Sequence, residues 1–252
     1  MGELRFLPRE GGDRLAWRRV EGRGPTVIWL GGFRSDMSGT KAQALADWAS
    51  SRGHAFLRFD YAGHGESSGD FADGTIGRWR DDALAVIDQL TEGPLLLVGS
   101  SMGGWIAALA ALARPERVAG LVLIAPATDF TEALLWPVLP EAARAAVERD
   151  GGWMAPSEYG EPYPFTRALF EDGRRWSLLP GPIALAAPVR ILQGGLDPDV
   201  PWTHALKLVE ALAGPDVTFT LVKDGDHRLS RPQDLQRLTG EVEALIAASP
   251  SR

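Results

Sequence analysis

Short apolar runs alternate with longer helix-forming stretches along most of the 252-residue chain. Runs rich in β-branched and apolar residues predict strands at residues 15–20, 26–30, 55–59, 95–98, 118–124, 189–193 and 217–222. Helical patterns occupy residues 40–52, 76–90, 102–113, 203–213 and 232–247. Several of the strands lack polar alternation, as expected when both faces are covered. The pattern predicts a single α/β domain, with a largely parallel sheet and helices on both faces.

One segment interrupts this alternation. Roughly sixty residues separate the strand that ends near Ala125 from the strand that begins at Val189, and an insertion of this length is usually functional. Short helices are predicted within it at residues 141–149 and 165–172. We expect residues 130–187 to form a helical lid, although a small satellite core is an alternative and the two are compatible. The aromatic residues of this segment include Trp136, Trp153, Tyr159, Tyr163, Phe165, Phe170 and Trp176.

A nucleophile motif follows the strand predicted at residues 95–98. Residues 99–103 read Gly-Ser-Ser-Met-Gly, a Gly-x-Ser-x-Gly pattern between an apolar run and a helical run. In this arrangement the chain turns sharply from strand to helix and leaves the central serine strained at a helix N-terminus, where backbone N–H groups favour negative charge. Ser101 is therefore predicted to be a nucleophile. The alternative is a glycine-rich turn whose serine caps the helix.

A serine nucleophile needs a base that accepts its proton, and the chain has four histidines. His227 follows the last predicted strand, at the sheet edge where open α/β sheets place their sites, and is predicted to be the base. His54 and His64 are disfavoured because they precede Ser101, whereas this motif has the order serine, acid, histidine. His64 is interpreted as a turn or core residue, with a place lining the pocket as the alternative. His204 is expected at the surface of a helix.

The acid that orients the histidine should follow the preceding strand. Asp197 and Asp199 both do so, and Asp197 is favoured because it comes first after the glycine turn. Asp199 is interpreted as a capping or turn residue. Asp224 and Asp226 flank His227 too closely in sequence to reach its far nitrogen, so they are expected to be solvated.

Two backbone N–H groups are expected to form an oxyanion hole. One belongs to Met102, the residue after the nucleophile. The other is assigned to Phe33, because Gly31 and Gly32 permit a tight turn that directs this amide inward. The alternative for residues 31–33 is an ordinary turn between strand and helix.

Composition and charge exclude several classes of partner and cofactor. The net charge of −7 argues against nucleic acid or an anionic membrane as the main partner, and the absence of cysteine excludes disulfides and a thiol nucleophile. The glycine-rich residues 59–69 lack a phosphate-binding pattern, and no spacing of histidines and carboxylates indicates a metal, so no cofactor is expected. The sequence has neither a run of membrane-span length nor an N-terminal signal-peptide pattern, and a cytoplasmic location is expected.

Together these features resemble the α/β-hydrolase superfamily, and more narrowly the family of the mitochondrial palmitoyl-protein thioesterase, also known as an acyl-glucuronide esterase. The resemblance covers nearly the whole chain from Leu15 on, but the chain starts without an arginine- and serine-rich leader, so mitochondrial import is not expected. The resemblance implies a triad of Ser101, Asp197 and His227, and an acyl thioester or ester substrate such as an acylated protein. The shared segments are residues 39–42 (Gly-Thr-Lys-Ala), 58–61 (Arg-Phe-Asp-Tyr), 77–80 (Gly-Arg-Trp-Arg), 99–105 (Gly-Ser-Ser-Met-Gly-Gly-Trp), 113–116 (Ala-Arg-Pro-Glu), 200–202 (Val-Pro-Trp) and 226–228 (Asp-His-Arg).

The expected activity is hydrolysis of an acyl thioester or ester. Leu135 and Trp136, in the leucine-rich and aromatic lid, are predicted to contact an apolar acyl chain. The first alternative is a general carboxylesterase acting on small oxygen esters, and the second is a catalytically silent binding protein with the same fold.

Overall fold

The computed structural model describes residues 2–156 and 162–249. Within them an eight-stranded sheet occupies the centre and a two-stranded hairpin lies apart from it. The strands are β1 (Arg5–Pro8), β2 (Arg14–Val20), β3 (Arg23–Leu30), β4 (His54–Phe59), β5 (Leu95–Ser100), β6 (Val118–Ile124), β7 (Gly152–Ala155), β8 (Tyr163–Thr166), β9 (Val189–Gly194) and β10 (Val217–Val222).

The large sheet has the strand order β1-β2-β4-β3-β5-β6-β9-β10. Only β1 with β2 and β2 with β4 pair antiparallel, and every pair from β4 to β10 is parallel. The predicted, mostly parallel α/β sheet is therefore confirmed. Its parallel strands end at one edge, which is where their connecting loops can assemble a site.

Helices cover both faces of the sheet, as the unbroken apolar strands predicted. On β3, Ile28 and Leu30 pack into one core and Val27 and Trp29 into the other, because successive side chains of a strand point to opposite faces. The first core includes residues of α2, α3 and α6, and the second includes residues of α1 and α7. The helices are α1 (Thr40–Arg52), α2 (Ile76–Leu90), α3 (Met102–Ala113), α4 (Glu141–Asp150), α5 (Arg167–Arg175), α6 (Trp202–Ala211) and α7 (Pro232–Ala248).

Residues 130–187, here called the insertion, contain α4, α5 and the antiparallel hairpin of β7 and β8. The helix predicted at residues 165–172 is present, but its predicted start is two residues too early. Residues 163–166 pair with β7, and α5 begins only at Arg167, where the Thr166 hydroxyl caps it by accepting the Leu169 N–H. Tyr159, one of the predicted lid aromatics, lies outside the described residues.

A buried carboxylate fastens the two ends of the insertion together. Asp129 is 3% exposed and has a positive φ of 56°. Its carboxylate accepts hydrogen bonds from the Ser177 hydroxyl (2.6 Å) and from the backbone N–H groups of Leu178 and Leu179 (both 2.9 Å). The segment after β6 is thereby held to the chain that returns from α5.

The insertion also docks on the N-terminus of α2. The Gly77 N–H donates to the Asp172 carboxylate of α5 at 2.6 Å, which places a negative charge where a helix dipole favours it. The Arg80 guanidinium lies 4.4 Å from the centre of the Trp176 ring, and the Trp105 indole N–H donates to the Trp176 carbonyl. This side of the insertion is thus fixed to α2 and α3.

Within the described ranges, no helix is long and apolar enough to cross a membrane.

Candidate active site

Ser101 occupies the sharp turn between β5 and α3 that its motif predicted. Its backbone has φ 55° and ψ −121°, a conformation that non-glycine residues rarely adopt. The turn requires glycine on both sides, because a Cβ on Gly103 would lie 2.1 Å from the Leu30 carbonyl oxygen. A Cβ on Gly99 would lie 2.2 Å from the Gly103 carbonyl oxygen. The close approach of strand and helix holds the serine in this strained position.

The structure brings Ser101, His227 and Asp197 together, although 126 and 30 positions of sequence separate the two bonded pairs. Nε2 of His227 lies 3.1 Å from the Ser101 hydroxyl oxygen, and Nδ1 lies 2.8 Å from a carboxylate oxygen of Asp197. The Asp197 side chain is fully buried, whereas that of His227 is 23% exposed. This order of contacts allows the histidine to accept the serine proton while its other nitrogen donates to the acid.

Backbone and amide donors hold Asp197 in place. Its Oδ1 accepts the N–H groups of Asp199 and Val200, both at 2.9 Å, and its Oδ2 accepts the Gln193 side-chain amide at 3.1 Å as well as His227 Nδ1. Asp199, the other sequence candidate for the acid, contributes its backbone N–H to this network. The carboxylate of Asp197 is therefore the one bonded to the histidine.

Two glycines let the acid loop and the histidine loop approach each other. A Cβ on Gly194 would lie 2.4 Å from the Asp226 carbonyl oxygen, and one on Gly195 would lie 2.5 Å from the Lys223 carbonyl oxygen. Lys41, at the start of α1, donates from its ammonium group to the carbonyl of Arg228. Burial lowers the pKa of Lys41 to about 8. The loop that carries His227 is thus held from two sides.

The predicted oxyanion donors belong to two segments that lie next to the serine. Met102 is the first residue of α3, and the loop of Phe33 passes so close that a Cβ on Gly32 would lie 3.4 Å from the Ser101 Cβ. Within residues 2–156 and 162–249, neither the Met102 nor the Phe33 N–H donates a hydrogen bond to the protein. Both amides are thus available to an oxygen bound beside Ser101.

The other three histidines lie outside the hydrogen-bonded series of Ser101, His227 and Asp197. His54 stacks on Trp48, with ring centres 5.1 Å apart. The expectation that His204 lies at the surface is wrong, because the residue is 4% exposed and its Nε2 lies 2.8 Å from the Thr128 carbonyl oxygen. The face of α6 that carries it turns inward, beneath the segment that follows β6. His64 is also buried.

The Phe33 ring sits within an aromatic cluster that the sequence did not reveal. Ring centres of Phe71, Phe130 and Phe165 lie 4.8, 5.7 and 5.9 Å from it. Phe130 and Phe165 belong to the insertion, so the insertion packs directly on the loop of the predicted oxyanion donor. The only sequence signal was the aromatic content of the insertion, which does not say where the rings pack.

The two residues predicted to contact substrate lie farther along the insertion. Leu135 and Trp136 are partly buried against the larger core. The Trp136 ring packs edge-on against Phe170 at 5.0 Å, and the Arg174 guanidinium lies 5.5 Å from the centre of the Trp136 ring. The described ring contacts of Trp136 therefore lie with α5.

Asp197, Asp199 and His227 could also be considered as a metal site, because one ligand atom of each lies within 4.8 Å of the others. Both nitrogens of His227 already have partners, however, in Asp197 and Ser101. A histidine used as a proton-transferring base in this geometry has no nitrogen left to ligate a cation.

Comparisons with known proteins agree with this architecture. Residues 25–157 match the family described as serine aminopeptidase, S33. The chain is 40% identical to mitochondrial palmitoyl-protein thioesterase ABHD10 of Mus musculus over 249 residues, covering 96% of this chain and 82% of that protein. The human protein of the same name is 39% identical.

Solved structures give the same assignment. A putative hydrolase from Agrobacterium vitis S4 superposes with a TM-score of 0.93 at 48% identity, covering 98% of this chain and 99% of that one. Mouse α/β-hydrolase domain-containing protein 10 gives a TM-score of 0.89 at 39% identity, covering 98% and 99%. The chain therefore belongs to the α/β-hydrolase superfamily, as a serine hydrolase of the family that includes ABHD10.

Proposed function

We propose that this protein hydrolyses acyl thioesters or esters through a covalent acyl-serine intermediate. The observation that carries the proposal is the hydrogen-bonded series from the Ser101 hydroxyl through His227 to the buried Asp197 carboxylate, at 3.1 and 2.8 Å. A serine hydroxyl is a weak nucleophile on its own, and this arrangement provides both the base and the acid that orients it.

In the first half of the reaction, Nε2 of His227 takes the proton of Ser101 as the oxygen attacks the acyl carbonyl carbon. The carbonyl oxygen becomes an oxyanion, which the N–H groups of Met102 and Phe33 stabilise. Collapse of this intermediate breaks the bond to the leaving sulfur or oxygen. The leaving group takes its proton from His227, and the acyl group stays on Ser101.

In the second half, His227 removes a proton from water, whose oxygen attacks the acyl-serine carbonyl. The same two amides hold the second oxyanion. The acid then departs, and His227 returns its proton to Ser101. Asp197 stays ionised throughout and stabilises the imidazolium that forms in each half-reaction.

The proposed substrate class is a long-chain acyl thioester, such as a palmitoylated protein. The mouse relative is named a palmitoyl-protein thioesterase, and the aromatic rings around Phe33 offer an apolar wall beside the nucleophile. The insertion is the proposed lid over this wall, with Leu135 and Trp136 on the acyl path. The relatives are named as mitochondrial proteins, and these names do not support the cytoplasmic location expected from the sequence. That location stays a prediction.

The test is an activity profile on matched thioester and oxygen-ester pairs that share an acyl chain and rise from acetyl to palmitoyl. We expect thioesters with long chains to give the highest kcat/KM. A wide preference for short oxygen esters would replace the thioesterase proposal with a general carboxylesterase.

The nucleophile is tested in parallel with a fluorophosphonate probe, Ser101→Ala serving as the control variant. The wild-type protein should be labelled at Ser101 and the variant should be neither labelled nor active, with circular dichroism unchanged. An unlabelled wild-type protein without turnover would indicate a silent binding protein. Turnover by the variant would place the nucleophile elsewhere.

A further inference from the structure

His64 is a buried histidine that the proposed triad does not use. It lies in the loop after β4 and is 3% exposed. Its Nε2 accepts the backbone N–H of Arg34 at 3.2 Å, and its Nδ1 lies 3.2 Å from the Ala62 carbonyl oxygen. Arg34 directly follows Phe33, the proposed oxyanion donor. The loop after β4 thus contacts residues 31–37, here called the oxyanion loop, through this imidazole.

The two partners of His64 determine its tautomer. A backbone N–H can only donate, so Nε2 must be without a proton, and a carbonyl can only accept, so Nδ1 must carry one. A neutral imidazole satisfies both partners at once. Burial lowers the pKa of His64 to about 4, outweighing the opposing effect of the Ala62 hydrogen bond, so the neutral form is present at neutral pH.

Aromatic rings fix the imidazole in position. Phe71, Trp79 and Tyr61 pack edge-on against it, with ring centres at 5.0, 5.3 and 5.7 Å. The Trp79 indole N–H donates to the same Ala62 carbonyl. Nε2 is therefore a rigid acceptor, and the amide that bonds to it is fixed accordingly.

The oxyanion loop needs such an acceptor. Arg34 has φ 54°, a left-handed conformation that is strained for a non-glycine residue, and the preceding Gly31 and Gly32 have no side chains that would restrict the backbone. The Ser35 N–H donates to the Gly32 carbonyl and closes a turn around Phe33 and Arg34, and further along the Met37 N–H donates to Asp60. The hydrogen bond to His64 is made from inside this turn, by the amide that follows Phe33.

We infer that His64 is a positioning residue for the oxyanion hole, because its Nε2 holds the Arg34 amide and thereby directs the neighbouring Phe33 N–H toward the oxyanion. This inference rests on the proposed function. His64 touches neither substrate nor the reacting atoms, and it acts through the backbone of residues 33 and 34. Losing one oxyanion donor typically lowers kcat by about 10²–10³-fold. Misdirecting one should lower it by at least about tenfold.

The test compares three substitutions of His64 with one matched control. His64→Gln places an amide oxygen near the position of Nε2 and should keep kcat within about threefold of wild type. His64→Phe retains the ring without the acceptor, and His64→Asn is too short to reach Arg34, so both should lose at least about tenfold in kcat with KM little changed. His54→Phe, at the opposite end of β4, should leave kcat unchanged.

A trifluoromethyl ketone, which fills the oxyanion hole as a bound alkoxide, supplies a second readout. Its inhibition constant should rise in the Phe and Asn variants by about the factor that kcat/KM falls, and should stay near the wild-type value in the Gln variant. Wild-type kcat in folded His64→Phe or His64→Asn would overturn the inference, as would a folded His64→Gln as impaired as His64→Asn.

If His64→Phe fails to fold, the Gln and Asn pair decides. Labelling of wild-type Ser101 by fluorophosphonate tests the proposed function separately, so the failure of one proposal can be told from the failure of the other.

Discussion

Replacing Asp197 with asparagine exchanges one carboxylate oxygen of the proposed triad for an NH₂ group. This should reverse the direction of the hydrogen bond between residue 197 and His227. The N–H groups of Asp199 and Val200 donate to Oδ1 and will hold the new amide with its oxygen on that side. The NH₂ group then faces Gln193 and His227, at the position where Oδ2 now accepts from both at 3.1 and 2.8 Å. His227 can meet this donor only with an unprotonated Nδ1. Its proton therefore moves to Nε2, which can no longer accept the proton of Ser101.

A triad histidine held in the wrong tautomer loses about 10⁴-fold in kcat, which corresponds to about 5 kcal/mol of transition-state stabilisation. The assay is steady-state turnover of a thioester substrate by Asp197→Asn, with Asp199→Asn as the matched control. The control lies two residues away and contributes only its backbone N–H, so its kcat should stay within about threefold of wild type. Equal losses in the two variants, or a loss below tenfold in Asp197→Asn, would refute the assignment of the acid.

Three further outcomes concern stability. Ser101→Gly should be more stable than Ser101→Ala by about 1–3 kcal/mol in urea unfolding, because only glycine relieves the strained φ of 55°. Gly77→Ala should destabilise by about 1–3 kcal/mol, since its Cβ would lie 2.6 Å from Nε1 of Trp176; Gly240→Ala, with no atom within 4 Å of its Cβ, should stabilise by up to about 1 kcal/mol. Burial raises the pKa of Asp60 from 3.8 to about 6, so the folded state binds its proton more tightly. The free energy of unfolding of the wild type should therefore fall by about 2 kcal/mol relative to that of Asp60→Asn as pH rises from 4 to 6. Urea unfolding at several pH values measures this, and free energies that change equally with pH in the two proteins would contradict it.

Local signals explain why much of the fold was predictable. The bounds of α1, α2 and α3 agree with the prediction to the residue, and some of these helix ends lie at a clear sequence signal. Thr75 caps α2 with its hydroxyl, and a left-handed Gly53 ends α1. The strand β5, apolar on both faces, could be predicted for a similar reason: parallel strands between two helix layers need no polar side.

Features that depend on distant contacts were not predictable. β1 is a four-residue edge strand whose burial pattern shows a single buried residue, and β8 becomes a strand only because β7 lies beside it. His204 looked like a surface residue because nothing in α6 indicates which structure covers it. In the site, the side chains of the proposed triad could be chosen by order along the chain, whereas the surroundings of Phe33 depend on Phe130 and Phe165, which lie 97 and 132 positions away in sequence.

Two of the segments that resemble the ABHD10 family have different physical explanations. The Gly-x-Ser-x-Gly turn is explained by the proposed chemistry of Ser101 and by the close packing of β5 on α3. Within the described residues, no hydrogen bond joins Gly-Arg-Trp-Arg, at residues 77–80, to Ser101. Gly77 instead leaves space for Trp176 and binds Asp172 through its N–H, and Arg80 covers the Trp176 ring. Gly77 and Arg80 of this motif are thus explained by the docking of the insertion on α2, whereas Trp79 packs on His64 and Phe33. A relative that kept the serine turn but lacked this motif would have to hold its insertion, and with it the wall beside Phe33, in another way.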